Sequence, residues 1–481
     1  SKGYEVVGVS NGDDALELID KRRFDAILLD EVMPGRSGIE VLQGIRAVNQ
    51  TVPVIMITKS EEEELMDRAL GRRINDFLVK PVNPNQILLS LKKALDEGAI
   101  RERQLSQDYL RSFQEMALRR MEANRFQDWA EIYQRMVAWD LQLSELADTS
   151  LVQSHREQLR DANAEFGRFV ESRYQGWLQG PDRPVMSMDV IPRFVAPHLR
   201  AGKKVFFFLI DCMRLDQWRQ LESVLEPLFR MEEELYYSIL PTATPFARNA
   251  VFAGLTPLEI ATKHPQWWRG SAQEERSKNA HESELLQAQL QRMGLGDTKL
   301  KYFKTFNTEE TEAMAKQIPS LGDVPLVVGV INFLDILAHG RSSNDLLQEL
   351  APDEVAFRSV MRSWFQHSAL YELLRSLAGK EDHVVVITTD HGSVQVRKAA
   401  KVKANRQAST NIRYKYGDNL AVDPKQAFIM KHPEDYGLPQ DGPIQNYICA
   451  KEYGYFVYPT KFHEYERQYR GSFQHGGVSM E

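Results

Sequence analysis

The chain has 481 residues, 43% hydrophobic and 26% charged, with a net charge of −7, so two or three ordinary globular domains are expected. Two cysteines, Cys212 and Cys449, exclude a disulfide framework and fit a reducing, cytoplasmic setting. The acidic balance argues against nucleic-acid binding by the whole surface, and no apolar run approaches the roughly 20 residues of a membrane helix, which argues against membrane insertion.

No signal peptide is visible, and the chain is expected to begin inside a domain. Over residues 1–97, strand and helix patterns alternate as in an α/β domain with a parallel sheet. Residues 4–9 read as a strand and 12–21 as a helix with Asn11 as its N-cap. A strand at 26–29 ends in Asp30, a helix covers 37–48, and a strand at 53–57 ends in Thr58. A helix at 61–70, a strand at 77–79 ending in Lys80 and a helix at 84–95 complete the series. A carboxylate, a hydroxyl and an ammonium thus fall at the carboxyl ends of strands, where open α/β sheets bind ligands.

Asp30 with Met33-Pro34-Gly35 and Gly38, then Thr58, Phe77 and Lys80-Pro81, resemble a response-regulator receiver domain of flavodoxin-like fold. The resemblance implies Asp30 as phosphoacceptor for a sensor histidine kinase, Thr58 and Lys80 as partners of the phosphoryl group, and Phe77 as a switching aromatic. It also implies a cis Lys80–Pro81 bond, dimerisation on phosphorylation, and Mg²⁺ in the complete domain. The family's acidic Mg²⁺-binding pair would precede residue 1, so the receiver is expected to be N-terminally incomplete, with only the Val32 carbonyl matching a ligand.

Residues 98–184 read as a helical bundle connector. Residues 101–177 contain no proline, and apolar side chains recur at helical spacing. These include Tyr109, Phe113, Met116, Met121, Phe126, Trp129, Ile132, Tyr133, Met136 and Trp139, a stripe read as core. A break is expected at 144–150, and Gly180-Pro181 with Arg183-Pro184 reads as a linker into 185–481.

Within 185–481 three apolar strands end in metal-type ligands: 205–210 before Asp211, 326–333 near Asp335 and His339, and 384–387 before Asp390-His391. His475-Gly476-Gly477 adds an imidazole at a turn where the backbone can approach closely. The turn Pro241-Thr242-Ala243-Thr244-Pro245 opens a helix, placing a hydroxyl beside N–H groups that favour an anion. Three carboxylates, three imidazoles and a hydroxyl suffice for two divalent ions, and a set without thiolate suits Zn²⁺ and also Mn²⁺.

The order of these groups resembles the alkaline phosphatase superfamily. The stretches Asp211-Cys212-Met213-Arg214-Leu215-Asp216 and Thr244-Pro245-Phe246-Ala247-Arg248-Asn249 resemble its PglZ branch. Receiver, helical connector and PglZ domain in one chain resemble the PorX-like response regulators linked to type IX secretion. By that resemblance Asp335, His339 and His475 hold one metal, and Asp211, Asp390, His391 and the Thr244 hydroxyl hold the other. Thr244 is then the nucleophile of a two-metal phosphodiesterase, with Thr242 as the alternative, and Arg248, Asn249 or Arg214 holds a phosphoryl oxygen. A secretion-machine component or a sigma factor is the implied partner.

Between residues 393 and 417 lie seven basic residues and no acidic one, with Tyr414 and Tyr416 interleaved. A solvated loop is one reading of this run. The other is a surface for nucleotide or oligonucleotide phosphodiesters, with Lys401, Lys403, Arg413 and Lys415 as substrate-binding residues. A competing reading of the output domain is a docking module whose metal site is structural and needs no catalysis.

Overall fold

The computed structural model describes residues 4–49, 52–59, 74–144, 149–181, 183–268, 278–340, 349, 351, 353–405, 408–440, 442 and 444–481. The chain divides into two units, residues 1–118 with 139–155, and residues 119–138 with 156–481.

In the first unit, helix α1 (Gly12–Lys21) starts at Asn11, whose side chain accepts the Asp14 N–H at 2.8 Å. Helix α2 (Gly38–Val48) follows strand β1 (Ile27–Asp30) and opens with a capping box between Ser37 and Glu40. Strands β2 (Val54–Thr58) and β3 (Asp76–Val79) complete a parallel sheet in the order β1-β2-β3. Its register pairs Asp30 with Ile57 and Thr58 with Val79, so Asp30, Thr58 and Lys80 emerge at adjoining strand ends. Leu29, Val54 and Met56 bury against Val41, Leu42 and Ile45 of α2. Lys80–Pro81 is cis.

Two expectations for this unit fail and one cannot be read. Residues 4–9 form no strand: no described strand pairs with them, and Val6 is 83% exposed. Apolar alternation makes a strand only where a neighbour completes the ladder. Nor does the helix from Pro84 stop at 95; α3 runs on to Glu122. Its one interior glycine, Gly98, costs about 1 kcal/mol relative to alanine, too little to end a helix rich in strong formers. The helix expected at 61–70 lies outside the described residues.

Helix α4 (Phe126–Leu143) and helix α5 (Thr149–Gln179) follow. In the first unit Tyr109 packs edge-on against Trp139 and His155, and the Trp139 indole donates to Ser112 Oγ at 2.7 Å. Met121 leaves the expected core stripe, at 84% exposure.

The second unit is built on strand β4 (Lys204–Ile210) and the elements that cover it. In chain order these are α6 (Leu215–Leu225), α7 (Thr244–Ala253), α8 (Glu282–Arg292), β5 (Leu300–Thr305) and α9 (Thr308–Gln317). Next come β6 (Leu326–Ile331), α10 (Phe333–Gly340), α11 (Glu354–Gln366), α12 (Ala369–Leu377) and β7 (His383–Thr388). The sheet is parallel in the order β5-β6-β4-β7. Successive side chains of a strand face opposite ways. Phe207 and Leu209 of β4 therefore pack with Val251 and Phe252 of α7 and Leu286 of α8. Phe206 and Phe208 pack with Leu221, Met314, Met361 and Leu374 on the other side. Each such buried side chain contributes roughly 1.5–3 kcal/mol, which makes this layer a rigid base for the loops at its carboxyl end.

The apolar β-branched run at 384–387 reads as a strand buried on both faces, as in a parallel sheet, and β7 departs from that expectation. It is the edge of the sheet, its residues are half-buried, and they line a cavity of about 790 Å³. The remaining chain folds into small sheets. Strand β8 (Val394–Gln395) pairs antiparallel with β14 (Phe473–Gln474), and β9 (Lys398–Lys401) pairs with β13 (Gly454–Val457). Strands β10 (Tyr414–Asp418), β11 (Ala427–Met430) and β12 (Gln445–Ala450) form the third, in the order β10-β12-β11. Among the described residues no helix is long and apolar enough to cross a membrane.

Candidate metal centre and nucleophile

Each ligand arrives on a different piece of chain. Asp211 follows β4 directly; Cys212 beside it takes a left-handed turn, φ +65°, that redirects the chain into α6. Asp335 and His339 stand four residues apart on α10, one helical turn, with His339 Nε2 3.3 Å from Asp335 Oδ1. Asp390 and His391 follow β7. His475 comes directly after β14, and the β8–β14 pairing seats that strand three residues downstream of His391.

Two clusters result: Asp335, His339 and His475, and Asp211, Asp390 and His391. Within each, one ligand atom per residue lies within 4.8 Å of the others. The His339 and His475 Nε2 atoms approach to 3.1 Å, and the His391 and His475 rings to 4.4 Å, so the clusters adjoin.

The donor set fits divalent cations. Asp211 Oδ1 and His475 Nδ1 are buried with no hydrogen-bond partner, and a buried polar atom without a partner is costly unless something else satisfies it. Burial pushes the Asp211 carboxyl well up, against the opposing pull of Arg248, and Asp390 and Asp335 push it further. Burial and the neighbouring His391 hold the His475 imidazole well below its ordinary value, which keeps a lone pair available. Asp335 and Asp390 lie below the carboxylate range despite their burial, through His339 and Arg248 respectively.

The two threonines of the turn point to different groups. Thr242 donates its hydroxyl to the Gly477 carbonyl at 2.9 Å. Thr244, first residue of α7, holds its Oγ1 3.0 Å from His391 Nε2. The fingertip of the glycine turn is tightly enclosed. A Cβ on Gly476, at φ +102°, would stand 2.2 Å from the Tyr414 ring, and one on Gly477 would stand 2.1 Å from Arg413 Nη2.

The side chains expected to hold a phosphoryl oxygen are engaged with other partners. Arg248 is 1% exposed. It bonds Asp390 at 2.9 Å and Asn332 at 2.9 Å and pairs with Asp211, so it braces the ligands instead of reaching a phosphoryl oxygen. Asn249 is fully buried and donates to the Pro245 and Lys278 carbonyls. Arg214 grips Asp216 at 2.8 and 2.7 Å and lies over the Phe473 ring.

A correction also applies to the basic run. Arg413 and Lys415 are buried, Arg413 bonding the Glu452 and Gly454 carbonyls and Lys415 the Ser409 carbonyl. Tyr414 and Tyr416 are buried beneath Phe246 and unavailable for stacking on a base. Alternation in β10 does not turn these residues outward, because both of its faces are covered. Lys401 and Lys403 are exposed, and Arg406 lies outside the described residues.

Sequence reasoning missed Glu282 and Asn332, both bound up with Arg248, and Ser238 and Tyr236, which donate to the Asp390 and Thr389 carbonyls. Of these only Asn332, directly after β6, carries a strand-end signal. In the receiver, Lys80 Nζ lies 2.5 Å from Asp30 Oδ2, both groups partly open to solvent, and the Thr58 hydroxyl donates to Glu31. Phe77 is half-buried against the sheet core.

Comparison with known proteins gives three family matches. Residues 190–481 match the BREX system PglZ alkaline phosphatase-like domain, residues 1–92 the response regulator receiver domain, and residues 99–178 the PorX response regulator linker domain. The transcriptional regulatory protein CpxR of Escherichia coli (strain K12) is 35% identical over 109 residues, 22% of this chain and 45% of that one. The alkaline phosphatase synthesis regulatory protein PhoP of Bacillus subtilis (strain 168) is 32% identical over 100 residues, 20% of this chain and 41% of that one. The chain thus spans less than half the length of these relatives. Among solved structures, a CheY-like receiver from Methanospirillum hungatei JF-1 is 28% identical, covering 21% of this chain and 80% of that one at a TM-score of 0.20. CheY4 of Vibrio cholerae is 33% identical, covering 20% and 80% at a TM-score of 0.19.

Proposed function

The chain belongs to the PglZ alkaline phosphatase-like family through residues 190–481, and from that premise we propose that it is a two-metal phosphodiesterase under the control of its receiver domain. The observation that carries the proposal is the placement of Thr244 Oγ1 3.0 Å from His391, within one of two adjoining clusters of three metal-type ligands.

Asp335, His339 and His475 would hold one Zn²⁺ or Mn²⁺, and Asp211, Asp390 and His391 the other. When bound, such ions supply Lewis acidity to the entering and leaving oxygens of an in-line displacement. Thr244 provides the nucleophile: its Oγ1–phosphorus bond forms as the ester O–P bond breaks, and one alcohol departs carrying a proton in place of the one the threonine hydroxyl loses. Water then cleaves phospho-Thr244, releasing a phosphomonoester and restoring the hydroxyl. Arg248 holds Asp211 Oδ2 and Asp390 Oδ2, which orients both carboxylates; Asp211 Oδ1 would be available to an ion, while Asp390 Oδ1 accepts the His391 N–H.

The receiver takes its phosphoryl group at Asp30 from a sensor histidine kinase, with Lys80 and Thr58 as partners, Phe77 as the switching aromatic and Mg²⁺ as cofactor of the complete domain. Dimerisation follows phosphorylation, and the linker match supports a place in type IX secretion, with a secretion-machine component or sigma factor as partner. Nucleotide or oligonucleotide diesters are the proposed substrates, supported now only by the exposed Lys401 and Lys403.

The test is metal content by elemental analysis with bis-p-nitrophenyl phosphate turnover, for wild type and Thr244→Val. We expect about two ions per chain in both proteins and at least a ~100-fold loss of turnover in the variant. Equal turnover would remove Thr244 from the chemistry. Metals without turnover in the wild type would favour a docking module.

A further inference from the structure

Helix α5 carries a single buried face made by Asn163, Phe166, Val170, Tyr174 and Trp177, spaced by three and four residues. Two of these side chains are polar, and both are spent on backbone groups of the candidate catalytic loops. Asn163 Oδ1 accepts the Met480 N–H at 2.9 Å, five residues beyond His475. The Tyr174 hydroxyl accepts the Leu240 N–H at 2.8 Å, four residues before Thr244. Between them Glu171 pairs with Lys451 at 2.7 Å, and Lys451 bridges to Val478 of the same C-terminal segment. All of these residues lie in the second unit.

Neither backbone N–H has another assigned acceptor among the described residues. A helix could bury an all-apolar face here, as Phe166, Val170 and Trp177 do. The two polar positions therefore do something packing does not: they fix where two loop segments, distant in sequence, stand along one rigid rod. Asn163 and Tyr174 are eleven residues apart, about three helical turns, so the rod spans roughly 16 Å between its two grips.

We propose that helix α5 positions the two halves of the site, Asn163 the His475 segment and Tyr174 the Thr244 turn, so that the phosphatase-like domain depends on a helix outside its own boundaries. Both are positioning residues, since neither touches a reacting atom. They fall in the stretch that matches the linker domain, outside the 190–481 match, which places the connector within the working apparatus of the site. The inference rests on the two-metal reading only through the names of the groups being positioned.

The experiment compares full-length wild type, Asn163→Leu and Tyr174→Phe. Zn²⁺ affinity is read by chelator competition, bis-p-nitrophenyl phosphate kcat and KM by initial rates, and folding by urea unfolding. Asn163→Leu should weaken one of two Zn²⁺ sites about 10-fold, the scale seen when the support of a metal ligand is lost. Asn163→Asp, which keeps the acceptor, should recover wild-type affinity, and Asn163→Ala is read the same way if the leucine variant does not fold. Tyr174→Phe should leave both Zn²⁺ affinities unchanged while kcat falls about 10-fold at constant KM, because a displaced nucleophile loses rate and not binding. Variants that unfold at lower urea but bind Zn²⁺ and turn over like wild type would overturn the proposal and reduce α5 to packing. A wild type that binds two Zn²⁺ without hydrolysing the diester would defeat the phosphodiesterase reading, and the Zn²⁺ measurement on Asn163→Leu would still decide this one. A wild type that binds no Zn²⁺ overturns both.

Discussion

The receiver site and the candidate metal site are made of the same kinds of residue, acids and bases at the carboxyl ends of parallel strands, yet they hold charge in opposite ways. Asp30 and Lys80 are 37% and 33% exposed at the side chain, and the Thr58 hydroxyl donates to the neighbouring Glu31. Asp211, Asp390 and Arg248 are at most 3% exposed at the side chain and sit in a network that includes Glu282 and Asn332. An exposed pair is screened by water and exchanges partners cheaply, which suits a group that must be modified and released. A buried one is held by its surroundings, and removing one member leaves the rest without compensation. The contrast separates a switch, which has to let go, from a centre that must keep its geometry.

Arg248→Met breaks the comparison hardest. It leaves Asp211 and Asp390 buried without their counter-charge, and urea unfolding of the metal-free protein should show a loss of about 3–5 kcal/mol. Added Zn²⁺ should restore part of that loss, since a cation answers the same two carboxylates. Unchanged stability would mean that the network is not the framework of the site.

The buried Arg214–Asp216–Arg358 group tests the same point with pH. Burial alone would raise the Asp216 carboxyl, but Arg214 and then Arg358 outweigh it and hold it below its ordinary range. Its folded value therefore lies below its unfolded one. The stability it contributes is present above about pH 4 and is lost as pH falls further. Asp216→Asn should flatten that acid limb of a stability–pH curve.

Gly477→Ala is expected to have a smaller effect, about 1–3 kcal/mol, because its Cβ would meet Arg413 Nη2 at 2.1 Å and the Ala450 carbonyl at 2.5 Å. Zn²⁺ affinity should fall with it, since His475 lies two residues away; a stability loss with normal Zn²⁺ binding would detach the turn from the site.

Lys80→Ala sharpens the other side of the comparison: its stability change should stay within about 1 kcal/mol, while phosphotransfer to Asp30 is impaired. Least of all should the Lys401→Glu, Lys403→Glu pair affect folding, within about 0.5 kcal/mol. Its readout is oligonucleotide turnover set against a small chromogenic diester, and equal ratios in variant and wild type would remove the nucleic-acid substrate from the proposal.

By itself the sequence determined the groups and their local frames. Apolar runs followed by Asp30, Asp211 and Asp390 are strands that deliver those carboxylates at the carboxyl edge of a sheet, and an i, i+4 pair such as Asp335 and His339 shares a helix face wherever the helix lies. The Asn11 cap, and the glycine-lined turn after His475, are equally local. Tertiary structure alone decided which charges meet water. Arg413 and Lys415 share a basic run with Lys401 and Lys403, but β10 is covered on both faces, so the first two serve carbonyls in the interior. It also decided that Arg248 turns to the carboxylates, that β14 pairs with β8 to bring His475 beside His391, and that Asn163 and Tyr174 grip loops far along the chain. Spacing along a segment fixes which side chains share a face; what covers that face depends on residues tens or hundreds of positions away, and no local pattern carries that information.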